Sequence, residues 1–302
     1  MPITKTQLAQ RRNHIGSSDM AAILGLSPYR SAWDVWAEKT GRVEPADLSG
    51  RPAVQAGNLM EVAVLDYAAD ALGALTRNQY RSAPALHLGA NCDAILRATG
   101  QPVEAKTSGL FGPLPEAWGE GGTDQVPDPY IVQVHVQMLC TGAQAAHLAA
   151  FLGGRGFELY HVALNADLAE VIAEAATRFW ALVETDTPPE NATPALETLA
   201  RLRRVPQSVV EGLPADLLLD YEAAHEAVKN AEALKDSAKA EILRHLGDAE
   251  AGVFDDGRAV TYYEVPSNRL DVKALQAARP DVCAEYMRES AARRMTIRKK
   301  GL

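Results

Sequence analysis

The segment from Asn91 to Lys106 constrains this chain most. It reads Asn-Cys-Asp-Ala-Ile-Leu-Arg-Ala-Thr-Gly-Gln-Pro-Val-Glu-Ala-Lys, two strand-like runs around a turn-rich connection at 98–102. An antiparallel hairpin centred between Ala98 and Thr99 sets Asp93 opposite Glu104, with Cβ atoms about 4.5–5.5 Å apart. Alternation then puts Lys106 on the face of Glu104, opposite Asn91. A bulge in the connection would shift this register.

Two carboxylates facing each other repel, and they destabilise a hairpin unless something neutralises them. A divalent cation does so. Oxygen ligands and the need for open positions favour Mg²⁺, with Mn²⁺ as a substitute, over zinc. Such an ion can take a phosphodiester oxygen and lower the pKa of a water. Lys106 can orient that water or stabilise charge in the transition state. This is the D…E-x-K arrangement of many metal-dependent nucleases, although an Asp some ten residues ahead of an E-x-K also occurs in many solvated hairpins.

Composition narrows the field. With 302 residues, 47% of them apolar, the chain can bury one large domain plus a smaller one. A net charge of −9 speaks against passive coating of a duplex by overall attraction. It leaves room for a nuclease with a local basic groove. Cys92, Cys140 and Cys283 form no C-x-x-C pair, which argues against zinc and iron–sulfur sites and fits a reducing compartment. The first residues lack a secretion signal, and no stretch is long enough to span a bilayer. The expectation is a soluble protein of the bacterial cytoplasm.

The Pro-rich stretch at 185–194 reads as a boundary. The predicted organisation is a domain over 1–187, a linker over 188–213 and a helix-rich α+β accessory region over 214–302. Ser17 or Ser18 can cap a helix over 19–24, and Ser31 a second that Gly41 stops. A third is predicted over 53–72. Asp128-Pro129 is a helix start, and that helix ends at Gly142. Strands are predicted over 85–96, 145–151 and 158–164. The stretch 107–128, with Phe111 and Trp118, is a mobile loop or a long connection. From Pro214 to Leu246, apolar residues at Leu217, Tyr221, Ala224, Val228 and Ala231 predict a long amphipathic helix. A strand over 259–263, a helix from about Asp271 and a basic end at 293–300 follow.

The surroundings sharpen the reading. Arg11–Tyr29 resembles the opening motif of the YqaJ-type viral recombinase family, which includes the lambda-type phage exonucleases. Later landmarks recur in order: Gly57-Asn58-Leu59-Met60-Glu61, Asp93, Glu104-Ala105-Lys106, then Tyr130 to Met138 with Thr141-Gly142. The resemblance covers about 8–165. It implies an α/β fold with a restriction-endonuclease-like core, a central mixed sheet flanked by helices. It also implies a Mg²⁺-dependent exonuclease that degrades duplex DNA ends from 5′ to 3′ and leaves 3′ single strands for phage-type recombination. A homo-oligomer, a trimer in the family's ring form, and a single-strand annealing protein as partner are implied too.

Residue by residue, the resemblance makes Asp93 and Glu104 central metal ligands, with the Ala105 carbonyl and Glu61 as further ligands. Lys106 acts on the attacking water, and Gln133 stands beside the site. On the same helix Gln137 shares a stripe with Gln133 and Tyr130. Arg11, or Arg12 at the neighbouring position, and Ser18 resemble a pocket for a 5′-phosphate. The chemistry agrees, because a helix start, a hydroxyl and an arginine make an anion site. Two departures stand out. Asn91 replaces a serine that reaches the phosphate in some members, and Ala83 stands where some carry an acid. Competing readings are a related metal-dependent endonuclease, a Cas4-like nuclease, which the missing cysteine ligands disfavour, and an inactive DNA-end-binding accessory, which the retained Glu61, Asp93, Glu104 and Lys106 disfavour.

Overall fold

The computed structural model describes residues 12–202, 208–288 and 294–297. Arg11 therefore lies outside the described residues, as do parts of the basic C-terminal end. Compactness divides the chain into Met1–Arg204 and Val205–Leu302.

The first unit is built on six strands: β1 (Ile15–Gly16), β2 (Leu75–Ala83), β3 (Leu88–Leu96), β4 (Pro102–Ser108), β5 (Ala145–Leu152) and β6 (Gly156–Ala163). The order is β1-β3-β4-β5-β6, with β2 paired to the other edge of β3. The sheet is mixed: β1–β3 and β4–β5 are parallel, the other pairs antiparallel. Its helices are α1 (Ser17–Ile23), α2 (Ala32–Lys39), α3 (Pro52–Leu72), α4 (Asp128–Thr141), α5 (Ala166–Glu184) and α6 (Leu196–Arg201). This is the expected α/β architecture, a central mixed sheet flanked by helices.

Strand alternation assigns the faces. On β5, Leu148 and Ala150 pack with Val134 and Met138 of α4, while Ala149 packs with Val64, Leu65 and Ala68 of α3. The sheet is thus sandwiched between α4 and α3. Helix α4 is apolar nearly all round, since Val132, Val136 and Cys140 join a second cluster with α1, α2 and α5. Gly142 ends it in the left-handed conformation (φ 74°) that spares glycine a Cβ clash. Gly89 is required for another reason: a Cβ there would stand 2.3 Å from the buried His14 ring.

Several local expectations change. Neither Ser17 nor Ser18 caps α1. The helix begins at Ser17, Gly16 is the N-cap, and the Asp19 carboxylate takes the Gly16 N–H at 3.1 Å. Ser31 does cap α2, with Asp34 completing a capping box. Strand β2 was absent from the sequence reading. Its residues alternate on neither face and none is buried, as suits a strand at the sheet edge. The stretch expected to be linker begins by packing on the first unit, where Thr198 of α6 is buried and Asp34 accepts the Ala195 N–H at 3.0 Å.

In the second unit, α7 (Ala215–Leu246) is the expected long helix, but none of its side chains is buried. Strands β7 (Ala251–Val253) and β8 (Ala259–Thr261) form a small hairpin, followed by α8 (Val272–Ala278) and α9 (Pro280–Tyr286). No helix among the described residues is long and apolar enough to cross a membrane.

Candidate active site

The β3–β4 ladder pairs Ala94 with Val103 and Ile95 with Pro102, the register that sets Asp93 against Glu104. The ladder stops there. Instead of a further backbone bond, the Asp93 Oδ2 accepts the Ala105 N–H at 2.8 Å. The two strands fork around that carboxylate. The pairing of Asn91 with Lys106 expected from the extended register is consequently not made, and Asn91 faces Tyr80 of β2 instead. Asp93 also marks a bend in β3. Cys92 and Ile95 belong to the α4-side cluster, Ala94 and Leu96 to the α3-side cluster, so strict alternation breaks between them. Across from Asp93 on β2, Asn78 adopts the left-handed conformation (φ 55°), which asparagine tolerates better than most residues.

Glu104 is 3% exposed, and both its oxygens are held. Oε1 accepts from Lys106 Nζ and from Gln133 Nε2, each at 2.5 Å, and Oε2 accepts from Gln137 Nε2 at 2.5 Å. The two glutamines project from one stripe of α4, four residues apart, toward β4. A buried carboxylate on a rigid strand is thereby oriented by a rigid helix. Gln137 is fully buried, and its own Oε1 has no partner.

The electrostatics are unbalanced. Burial, then the neighbouring Glu104, push the Asp93 carboxyl up to about 8, with Glu61 adding in the same direction. Burial alone would lower the Lys106 ammonium, but Glu104 and Asp93 more than reverse this, and its pKa is raised. Lys106 is therefore a firm cation. A single ammonium faces two carboxylates, with the field of Glu61 from α3 beside them. Among the described residues, no three His, Cys, Asp or Glu side chains gather closely enough to hold an ion by themselves. The metal-binding atoms that the fork offers are the oxygens of the two carboxylates. That set, the excess negative charge and the orphaned Gln137 oxygen fit a hard divalent cation.

The structure thus brings Asp93, Glu104, Ala105, Lys106, Gln133 and Gln137 together, with Glu61 half-buried and near enough to be felt by Asp93. Of the expected anion pocket, Arg11 lies outside the described residues. Ser18 is exposed in the first turn of α1. Arg12 is exposed and forks the Glu44 carboxylate at 2.8 and 2.7 Å. The sequence reading also missed a buried ionic cluster at the start of α1. There Asp19 is held by Lys39 at 2.7 Å and by Arg30 at 3.1 Å, and Arg30 reaches Glu38 at 2.8 Å. The polar Asp19 at the third position of a helix was visible, but its partners lie 11 and 20 residues on, beyond any local pattern.

Residues 7–144 match the YqaJ-like viral recombinase domain family, so the resemblance read from the motifs holds. Over 303 residues the chain is 26% identical to the uncharacterized protein YqaJ of Bacillus subtilis strain 168, covering 96% of this chain and 93% of that one. Among solved structures it is similar to an alkaline exonuclease from Laribacter hongkongensis, at 17% identity and a TM-score of 0.48. That match covers 61% of this chain and 94% of the other. It is also similar to a putative exonuclease from Eubacterium rectale, at 10% identity and a TM-score of 0.44, covering 70% and 97%.

Proposed function

We propose that this chain, with its YqaJ-like viral recombinase domain, is a Mg²⁺-dependent deoxyribonuclease. In this reading it hydrolyses phosphodiester bonds from the ends of duplex DNA in the 5′-to-3′ direction, leaving 3′ strands for recombination. The observation that carries the reading is the fork at Asp93, where a half-buried and a buried carboxylate, a cationic lysine and two glutamines converge.

Asp93, Glu104 and the Ala105 carbonyl would hold the ion, with Glu61 on its outer side. When bound, the ion would offset the excess negative charge, receive a phosphate oxygen and make a water easier to deprotonate. The chain's own groups have separate tasks. Gln133 and Gln137 fix the Glu104 carboxylate so that it need not reorganise during reaction. Lys106, with its raised pKa, keeps its proton and serves as a donor rather than a base. It orients the attacking water or steadies the charge that builds on the phosphate as the water oxygen bonds to phosphorus and the 3′-oxygen leaves.

Substrate ends are read at the start of α1. Arg11, Ser18 and Asn91 are the proposed contacts for a 5′-phosphate, and the engagement of Arg12 with Glu44 favours Arg11 over its neighbour. Assembly into a ring-like homo-oligomer and cooperation with an annealing protein belong to the same reading. The test uses end-labelled duplexes bearing 5′-phosphate or 5′-hydroxyl, with Mg²⁺ or with chelator. Shortening from 5′-phosphate ends only in Mg²⁺ supports the proposal; no shortening in either condition refutes it.

A further inference from the structure

Helix α4 touches the site at three points, two of which hold Glu104. The third is Tyr130, one turn ahead of Gln133 on the same stripe. The Lys106 ammonium lies over its ring, 4.9 Å from the centroid. The helix that grips the carboxylate with two amides therefore also meets the cation with an aromatic face. The negative face of such a ring attracts a cation, more so where water is scarce. Lys106 has a long, flexible stem, and an ion pair to one oxygen fixes only its distance from Glu104. A ring beneath the ammonium fixes its direction as well.

The ring is itself braced. Trp118 packs against Tyr130 with centroids 5.6 Å apart, and against Tyr160 at 5.4 Å. Trp118 is 4% exposed. Arg155 donates to the carbonyls of Trp118 and Gly119 at 2.9 and 2.6 Å, and the Tyr160 hydroxyl donates to that Gly119 carbonyl at 3.1 Å. The Gly- and Pro-rich connection before α4 is thus pinned at its one buried aromatic, and the pin ends on the ring beneath Lys106.

We propose that Tyr130 is a positioning residue for Lys106, and that Trp118 holds Tyr130 in place for that task. The kinetic part of its test rests on the nuclease reading, whereas the spectroscopic part does not. The chain has nine lysines, so the full-length protein labelled with ¹³C-lysine gives a tractable spectrum, in which a Lys106→Arg variant identifies the Lys106 signal. Ring-current shielding should displace the Lys106 ε-methylene protons upfield of the other lysines. That displacement should persist in Tyr130→Phe and vanish in Tyr130→Leu. On duplex DNA with Mg²⁺, Tyr130→Leu should lower kcat about tenfold with KM nearly unchanged, and Tyr130→Phe should restore most of it. An unshifted Lys106 signal in the wild type overturns the proposal, even if Tyr130→Leu does not fold. So does a displacement that survives in Tyr130→Leu, or a kcat that Tyr130→Leu leaves intact. If the wild type cuts no DNA, the nuclease reading fails and the lysine spectrum alone decides this inference.

Discussion

Replacing Gln137 with methionine, which has a similar volume, separates what this residue does for the fold from what it does for the site. Its Nε2 donates to the Glu104 Oε2 at 2.5 Å inside a fully buried environment. Losing a hydrogen bond to a charged group costs about 1.5–3 kcal/mol. Its Oε1, however, is buried without a partner, and removing such an orphan returns about 1–3 kcal/mol. The two effects largely cancel, so the net change should lie within about 2 kcal/mol of zero. In a unit of this size 1 kcal/mol moves Tm by roughly 2–4 °C, which bounds the shift at about 8 °C. Activity should not cancel in the same way. Glu104 would be left with Gln133 and Lys106 on one oxygen and nothing on the other. Loosening a reacting group by about an ångström costs on the order of a hundredfold in rate. Thermal melting in chelator and cleavage of a labelled duplex in Mg²⁺, on the same preparation, measure both. Full activity, or a Tm loss beyond about 12 °C, would refute the reasoning, the second because it would mean that the amide oxygen is satisfied in the fold.

Glu104→Gln should abolish cleavage by about a hundredfold or more without unfolding the chain; near-normal rates from pure protein would displace Glu104 from the centre. The Asp93 carboxyl is raised in the fold to about 8 by burial and Glu104, so its contribution to stability is present below its unfolded pKa near 4 and is lost as pH rises through 8. Melting in chelator should therefore fall from about pH 4 to about pH 8 and level off above that, with Mg²⁺ restoring more stability at the higher pH; a flat profile in chelator would contradict this. Arg11→Ala should shrink the preference for 5′-phosphate ends by roughly ten- to a hundredfold while Arg12→Ala keeps it, and equal losses in both would remove Arg11 as the reader. Ca²⁺ should support DNA binding better than cleavage because its coordination is looser, an ordering that gel-shift and cleavage assays on one substrate would check.

Much of the site was legible because it obeys local rules. Hairpin symmetry about Ala98 and Thr99 was enough to set Asp93 against Glu104, and helical spacing was enough to place Tyr130, Gln133 and Gln137 on one stripe. The fork was not legible, because it depends on the Asp93 side chain capturing the Ala105 N–H in place of a backbone partner. The strict alternation that carried the reading as far as Asn91 fails one residue after Cys92 for the same reason. Strand β2 was hidden because an edge strand with no buried face shows no period. The cap of α1 was assigned to a serine on propensity, yet the carboxylate at the third position, bound to Lys39 and Arg30, decided it. That Glu104 would hold both glutamines through separate oxygens required the sheet and α4 to be packed first.

The central claim is that the forked Asp93–Glu104 pair with Lys106 is a nuclease centre. Its most direct test is nucleotide release from a duplex carrying distinguishable labels at its two 5′ ends, using the wild type and Lys106→Met side by side in Mg²⁺. Methionine keeps the unbranched stem and removes only the ammonium. The expected result is Mg²⁺-dependent release by the wild type, a rate at least about a hundredfold lower for Lys106→Met, and matched DNA binding by the two proteins. Equal rates for the two proteins, or release by the wild type in excess chelator, would contradict it.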